Sequence, residues 1–203
     1  MFRRFVDHPL FIWTLLALPS LLFLQAFIGF EPRGPGYTVE KALLPPTGEF
    51  AVRFLILSML LTPMRRIFPQ SGFWRWMMKR RRYIGLAAFA YAVLHLNLYL
   101  VGVDNVAEIL AGLTEVELLL GWAAFMVMLP LAVTSNDHAV RGMGLKWKSL
   151  QRWVYPAAIA VALHWVLLAD SIGPVIVHFA PLVLLEGYRI YDNFQHRARR
   201  AAI

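Results

Sequence analysis

The sequence contains no cysteine. That absence removes disulfides, thiolate metal ligation, cysteine-held iron–sulfur clusters and C-x-x-C-H cofactor attachment from consideration. Any metal must be held by His, Met or carboxylate. Charge is scarce as well: 16% of residues are Asp, Glu, Lys or Arg, against 59% in the hydrophobic set and a mean hydropathy of +0.57. Such a chain is far more apolar than a soluble domain. It has no G-x-G-x-x-G after a strand-like run and no P-loop, so it carries no recognisable nucleotide or flavin domain. It also shows no convincing internal repeat and no low-complexity linker.

What the sequence does have is a series of apolar runs, each close to the roughly 20 residues that a spanning helix needs. They predict an all-α integral membrane bundle of six transmembrane helices at approximately 9–30, 48–64, 83–102, 116–134, 153–169 and 174–191, forming a single domain over 1–203. Pro45, Pro46 and Gly48 are expected to precede the second span and Pro63 to close it. "GVDN" ends the third, and Gly173 with Pro174 is expected to turn between the last two. The segment 31–46 then reads as an outer loop. "MFRR" resembles the start of a secretory signal, but the apolar stretch from Pro9 to Phe30 has no clean small-residue cleavage site after it, so an uncleaved first span is predicted.

The net charge of +8 is sorted by loop rather than by helical face, which argues against nucleic acid as a partner. Arg3 and Arg4, then Arg65, Arg66, Lys79, Arg80, Arg81 and Arg82, then Arg141, Lys146, Lys148 and Arg152, then Arg189, Arg197, Arg199 and Arg200 fall in alternate connections. Asp104, Glu108, Glu115 and Asp170 fall in the others. The positive-inside rule puts the basic segments and both termini in the cytoplasm, in contact with the lipid bilayer of a plasma membrane. Trp74, Trp76, Trp147 and Trp153 flank the basic segments, where an interfacial aromatic belt would place them.

Two histidines sit deep in apolar runs. His95 lies 13 residues past Arg82 and His164 lies 12 past Arg152, so both reach roughly 18–20 Å into a core about 30 Å thick. Two imidazoles at one depth on two helices suit the axial positions of a haem iron. They are also compatible with each ring hydrogen-bonding a neighbouring helix. Arg53 enters the same layer from the far side, where its guanidinium can pair with a haem propionate or snorkel to the interface. His178 lies near that level too, as a competing ligand, a supporting donor or an interfacial residue. His8, His138 and His196 read as solvated.

The runs "TGEFAVRFLILSMLLTPMRR" (47–66), "RRYIGLAAFAYAVLHLNLY" (81–99), "LAVTSND" (131–137) and "WKSLQRWVYPAAIAVALHW" (147–165) together resemble the haem-binding membrane subunit of the bacterial periplasmic methionine sulfoxide reductase system, the MsrQ or YedZ family, within the ferric-reductase-like transmembrane group. The resemblance spans about 120 residues, in the same order and spacing. It implies a six-helix b-type haem protein of the bacterial inner membrane. Such a protein takes electrons from membrane quinol and passes them to a periplasmic molybdopterin-containing reductase. It would be the electron-transfer subunit and not the substrate-reducing one. By position, His95 and His164 match the family's histidines as cofactor and metal ligands, and Arg53, expected to bind the cofactor, matches a basic position on span two. The family often has a histidine where this chain has Gln151, and the matching positions on span three are Arg81 and Arg82. One haem b is therefore expected and not two, while the sequence leaves FMN open as a further carrier.

The quinone site is not legible. Arg65, Arg66 and Arg82 either attract an anionic headgroup or serve topology alone. Two other functions compete. One is a transmembrane ferric or cupric ion reductase, although the outer loops offer no His cluster for capturing a metal ion. The other is a haem-free scaffold or relay in which His95, His164 and Arg53 pass protons or ions.

Overall fold

A computed structural model describes residues 6–103 and 105–201, with backbone only for 197–201. Arg3, Arg4 and Asp104, and the side chains of Arg197, Arg199 and Arg200, lie outside the described residues. The described residues form only helices and their connections: α1 Pro9–Ile28, α2 Val39–Ile67, α3 Gly72–Lys79, α4 Arg81–Val101, α5 Val106–Gly112, α6 Val116–Val133, α7 Asp137–Met143, α8 Leu145–Gln151, α9 Val154–Leu168 and α10 Gly173–Ala201. Four of them (α1, α2, α4 and α6) are long and apolar enough to cross a membrane. At 15 residues α9 is shorter, and α10 carries a charged C-terminal half.

Several boundaries differ from the sequence expectation. Helix α2 starts at Val39, nine residues before the expected 48, so 39–46 is helical and not loop. Thr38 caps it, its hydroxyl accepting from the Lys41 amide. Pro45 and Pro46 lie inside the helix. They remove only the N–H groups that would bond the carbonyls of Lys41 and Ala42, in the first turns where Lys41 is exposed. Nor does Pro63 close the helix. The ladder continues to Ile67, with Arg65 and Arg66 favourably placed in the last turn. Gly173 and Pro174 open α10 and are not a turn before it, since a proline in the first turn has no intrahelical amide bond to lose. Helix α10 runs ten residues past the expected end at 191.

The bundle packs in two pairs, α2 against α4 and α6 against α9, with α10 laid along α2. Small side chains permit close approach: Ala88 on α4 and Ala157 on α9 are fully buried in one apolar cluster with Leu55 and Met59 of α2. A second cluster joins Ile12 and Leu16 of α1 to Leu61 of α2 and Ile84 of α4. Outward residues such as Leu22, Leu119, Ile159 and Leu184 are exposed, as lipid-facing positions should be. The basic connections are ordered. Trp76 donates to Asp7 at 3.0 Å, and buried Arg80 pairs with Asp7 while lying 3.9 Å over the Trp76 ring. Arg66 donates to Asn193 at 2.7 Å, tying the end of α2 to α10.

Candidate functional site

His95 on α4 and His164 on α9 come together: their ring centroids are 6.4 Å apart and their planes meet at 86°. Each ring is anchored in the same way on a third or fourth helix. His95 donates from Nδ1 to the Leu44 carbonyl of α2 at 2.9 Å, and His164 donates from Nδ1 to the Glu117 carbonyl of α6 at 2.6 Å. A carbonyl oxygen can only accept, so each Nδ1 carries the proton. In a neutral imidazole that leaves Nε2 with its lone pair. Among the described residues no hydrogen bond reaches Nε2 of either ring.

Thr47 is fully buried beside His95, its hydroxyl 3.5 Å from Nδ1 and 2.9 Å from the carbonyls of both Leu43 and Leu44. Two glycines complete the surroundings. A Cβ added at Gly48 would lie 3.0 Å from Nδ1 and Cε1 of His95; one added at Gly121 would lie 2.8 Å from Cε1 and 3.0 Å from Nδ1 of His164. Gly48 was expected only as a boundary before the second span and instead lies inside α2, while Gly121 and the two carbonyls carried no expectation. The available signal was a glycine inside an apolar helical run, which costs helix stability and marks close approach.

The pair fits a haem. Two imidazoles bound end-on to one first-row metal at about 2 Å per bond would hold their centroids roughly 6.3 Å apart, close to the observed separation. Nδ1–H donation to a backbone carbonyl is the usual outer partner of a ligating imidazole. Among the described residues no group of three or more His, Asp or Glu is placed to hold a bare metal ion. A pair of imidazoles suffices when a macrocycle fills the remaining positions.

The other expected residues fall elsewhere. Arg53 donates from Nη2 to Glu49 at 2.5 Å and from Nε to His178 Nε2 at 3.1 Å. His178 also donates from Nδ1 to the Pro174 carbonyl at 2.7 Å. Both of its nitrogens are therefore engaged, and it has no lone pair to offer as a competing ligand. Gln151 donates to the Leu131 carbonyl at 3.1 Å, binding α8 to the end of α6. Arg81 reaches Thr62 at 3.4 Å, and Arg82 donates to Asp137 at 2.6 Å. Of the histidines read as solvated, His138 is exposed, His8 accepts from the Leu10 amide as the cap of α1, and His196 pairs with Asp192 at 3.4 Å.

Fold and site together define a helical membrane protein with a paired-histidine centre between its helices. Residues 47–162 match the family described as "Ferric reductase like transmembrane component". The "Protein-methionine-sulfoxide reductase heme-binding subunit MsrQ" of Azospira oryzae is 34% identical over 197 residues, covering 94% of this chain and 80% of that protein. The proteins of the same name from Agrobacterium fabrum and Rhodospirillum rubrum are 33% and 34% identical, covering 90% and 92% of this chain and 85% and 88% of their own lengths. The chain belongs to the MsrQ group of the ferric-reductase-like transmembrane family.

Proposed function

We propose that this chain is a haem-carrying electron-transfer subunit of a bacterial inner-membrane methionine sulfoxide reductase system. It would bind one haem b through His95 and His164, take electrons from a membrane quinol, and deliver them to a periplasmic molybdopterin-containing reductase. The observation that carries the reading is the imidazole pair, with each Nδ1 held by a backbone carbonyl and each Nε2 left without a hydrogen bond. The relatives' shared name supplies the system. In this reading the chain is one domain of six spans with both termini cytoplasmic, α9 and α10 being the fifth and sixth.

When bound, haem supplies a one-electron couple. The protein's part is to present two imidazoles from opposite helix pairs, a donor set that would suit electron transfer over ligand activation. His95 and His164 lie half-buried among α2, α4, α6 and α9. Arg53, already bridging Glu49 and His178, places a cation in the outer layer of α2 that can also meet a cofactor carboxylate.

Absorption spectra of the detergent-purified full chain, with haem-to-protein stoichiometry, test this alongside His95→Ala and His164→Ala. The expected result is a low-spin b-type spectrum near one haem per chain, lost in either variant. A colourless protein from haem-replete cells would overturn the haem reading, and two haems per chain would overturn the single site. The family description favours one alternative, a metal-ion reductase. Rapid reduction of a ferric chelate by the reduced protein alone would bring that forward.

A further inference from the structure

The anchoring of the two histidines repeats across the bundle in a way that neither residue identity nor depth requires. In an α-helix the carbonyl of residue i points at the amide of residue i+4, and the Cβ of i+4 normally covers the approach to it. His95 reaches the carbonyl of Leu44, four residues before Gly48, and His164 reaches the carbonyl of Glu117, four residues before Gly121. On both helices the position that would carry the covering Cβ is glycine, and on both a Cβ would press on the Nδ1–Cε1 edge of the ring. These are different helix pairs with unrelated local sequences, Leu-Pro-Pro-Thr-Gly and Glu-Leu-Leu-Leu-Gly. Glycine inside a helix costs about 1 kcal/mol relative to alanine. Yet Gly85, on the same helix as His95, has nothing within 4 Å of its would-be Cβ. Gly112, at the end of α5, is also closely packed, but against Leu118 and the Tyr99 hydroxyl; among the described glycines only Gly48 and Gly121 meet a histidine ring.

We propose that Gly48 and Gly121 are positioning residues for the two histidines, each baring the backbone carbonyl four residues earlier so that it fixes the ring's tautomer and rotation. The orientation part concerns this chain's own side chains; the spectroscopic consequences rest on the haem reading above. The carbonyl holds the proton on Nδ1 and directs Nε2 to ligation. The groove left by the missing Cβ sets the rotation of each ring about its long axis, and the two grooves hold the planes 86° apart. Near-perpendicular axial planes give a ferric low-spin haem a strongly anisotropic EPR signal, whereas parallel planes give a rhombic one. Donation from Nδ1 to the carbonyl raises the basicity of the ligating nitrogen and lowers the reduction potential.

The experiment compares Gly48→Ala, Gly121→Ala and the control Gly85→Ala in the full-length, haem-loaded protein. It reads haem stoichiometry, ferric EPR and midpoint potential, and adds ¹⁵N-histidine NMR of the wild type in lipid. The expected outcome is retained low-spin haem in the first two variants, with reduced EPR anisotropy and a raised potential. Gly121→Ala should shift further than Gly48→Ala because its Cβ lies closer to the ring, and Gly85→Ala should match the wild type. Wild-type EPR and potential in both Gly48→Ala and Gly121→Ala would overturn the proposal. If those variants fail to fold, the wild-type NMR decides: Nδ1 protonated and slow to exchange in both histidines supports it, and protonation at Nε2 overturns it. A wild-type protein without haem would sink the haem reading while the same NMR still decides the anchoring.

Discussion

An imidazole buried among apolar helices has two nitrogens and, when neutral, one proton between them, so its chemistry depends on which neighbour takes that proton. For His95 and His164 the neighbour is a main-chain carbonyl, an acceptor that belongs to the helix backbone and not to any side chain. A different kind of residue pair ties the start of α4 to α7. Arg82 donates to Asp137, and this hydrogen bond, with the guanidinium charge, holds the carboxyl below its ordinary value. The carboxylate's folded pKa is depressed, so its contribution is complete above about pH 4, the unfolded value, and disappears as pH falls through the lower folded one. Both side chains are exposed, so the effect is small and screened by salt. Thermal unfolding in detergent between pH 5 and 3 should show a loss of stability in the wild type that Asp137→Asn does not share, and 1 M salt should erase the difference.

At the scale of elements, the bundle depends on helices approaching closely where their side chains are small. Ala157 is fully buried on α9, packed with Leu55, Met59 and Met128, and Ala88 plays the same part on α4. Ala157→Leu should overpack that crossing and cost about 1–3 kcal/mol, measured as lowered resistance to unfolding in mixed micelles. Because α9 also carries His164, the same variant should loosen the anchor on Glu117; an unchanged stability would show that α9 crosses the bundle more loosely than described. The helices that the sequence pattern concealed are equally informative. Helix α3 is short and amphipathic, its Trp74, Met77 and Met78 packing against the cluster of Leu61 and Ile84. Periodicity in a window of eight residues is too weak to separate such a helix from a basic loop. The early start of α2 was concealed by Pro45 and Pro46, which generally mark helix boundaries but here lie inside the helix near its start.

For the whole molecule, absence of cysteine becomes an experimental asset: any single introduced cysteine is the sole thiol. In the six-span orientation, Ser71→Cys and Lys148→Cys should be labelled by a membrane-impermeant reagent only in inverted vesicles, and Gly34→Cys and Glu108→Cys only in intact spheroplasts. Labelling of Ser71→Cys and Gly34→Cys from one side would break the proposed topology. Four helices qualify as spans by their own length and composition. Helix α9, with 15 residues, reaches only about 22 Å by itself, and α10 keeps its charged half beyond the membrane in that arrangement.

The sequence by itself determined the class of fold and the depth of the key groups. Long apolar runs separated by basic connections leave few alternatives to a helical membrane bundle, because lipid requires every backbone group to be paired and a continuous apolar run of about 20 residues does so by itself as a helix. Counting residues from the basic edges placed His95 and His164 at one level, since the rise per residue in a helix is fixed. Only the tertiary structure decided what each ring touches. Which helices become neighbours, and how they rotate about their axes, depend on packing between segments far apart in sequence. A carbonyl of Leu44 or Glu117 becomes an anchor only when a distant helix brings an imidazole against a glycine. The same packing brought His178 to Arg53, which already pairs with Glu49 one turn away on its own helix, and closed His178 as a ligand. Depth is a property of one helix, whereas contact belongs to two.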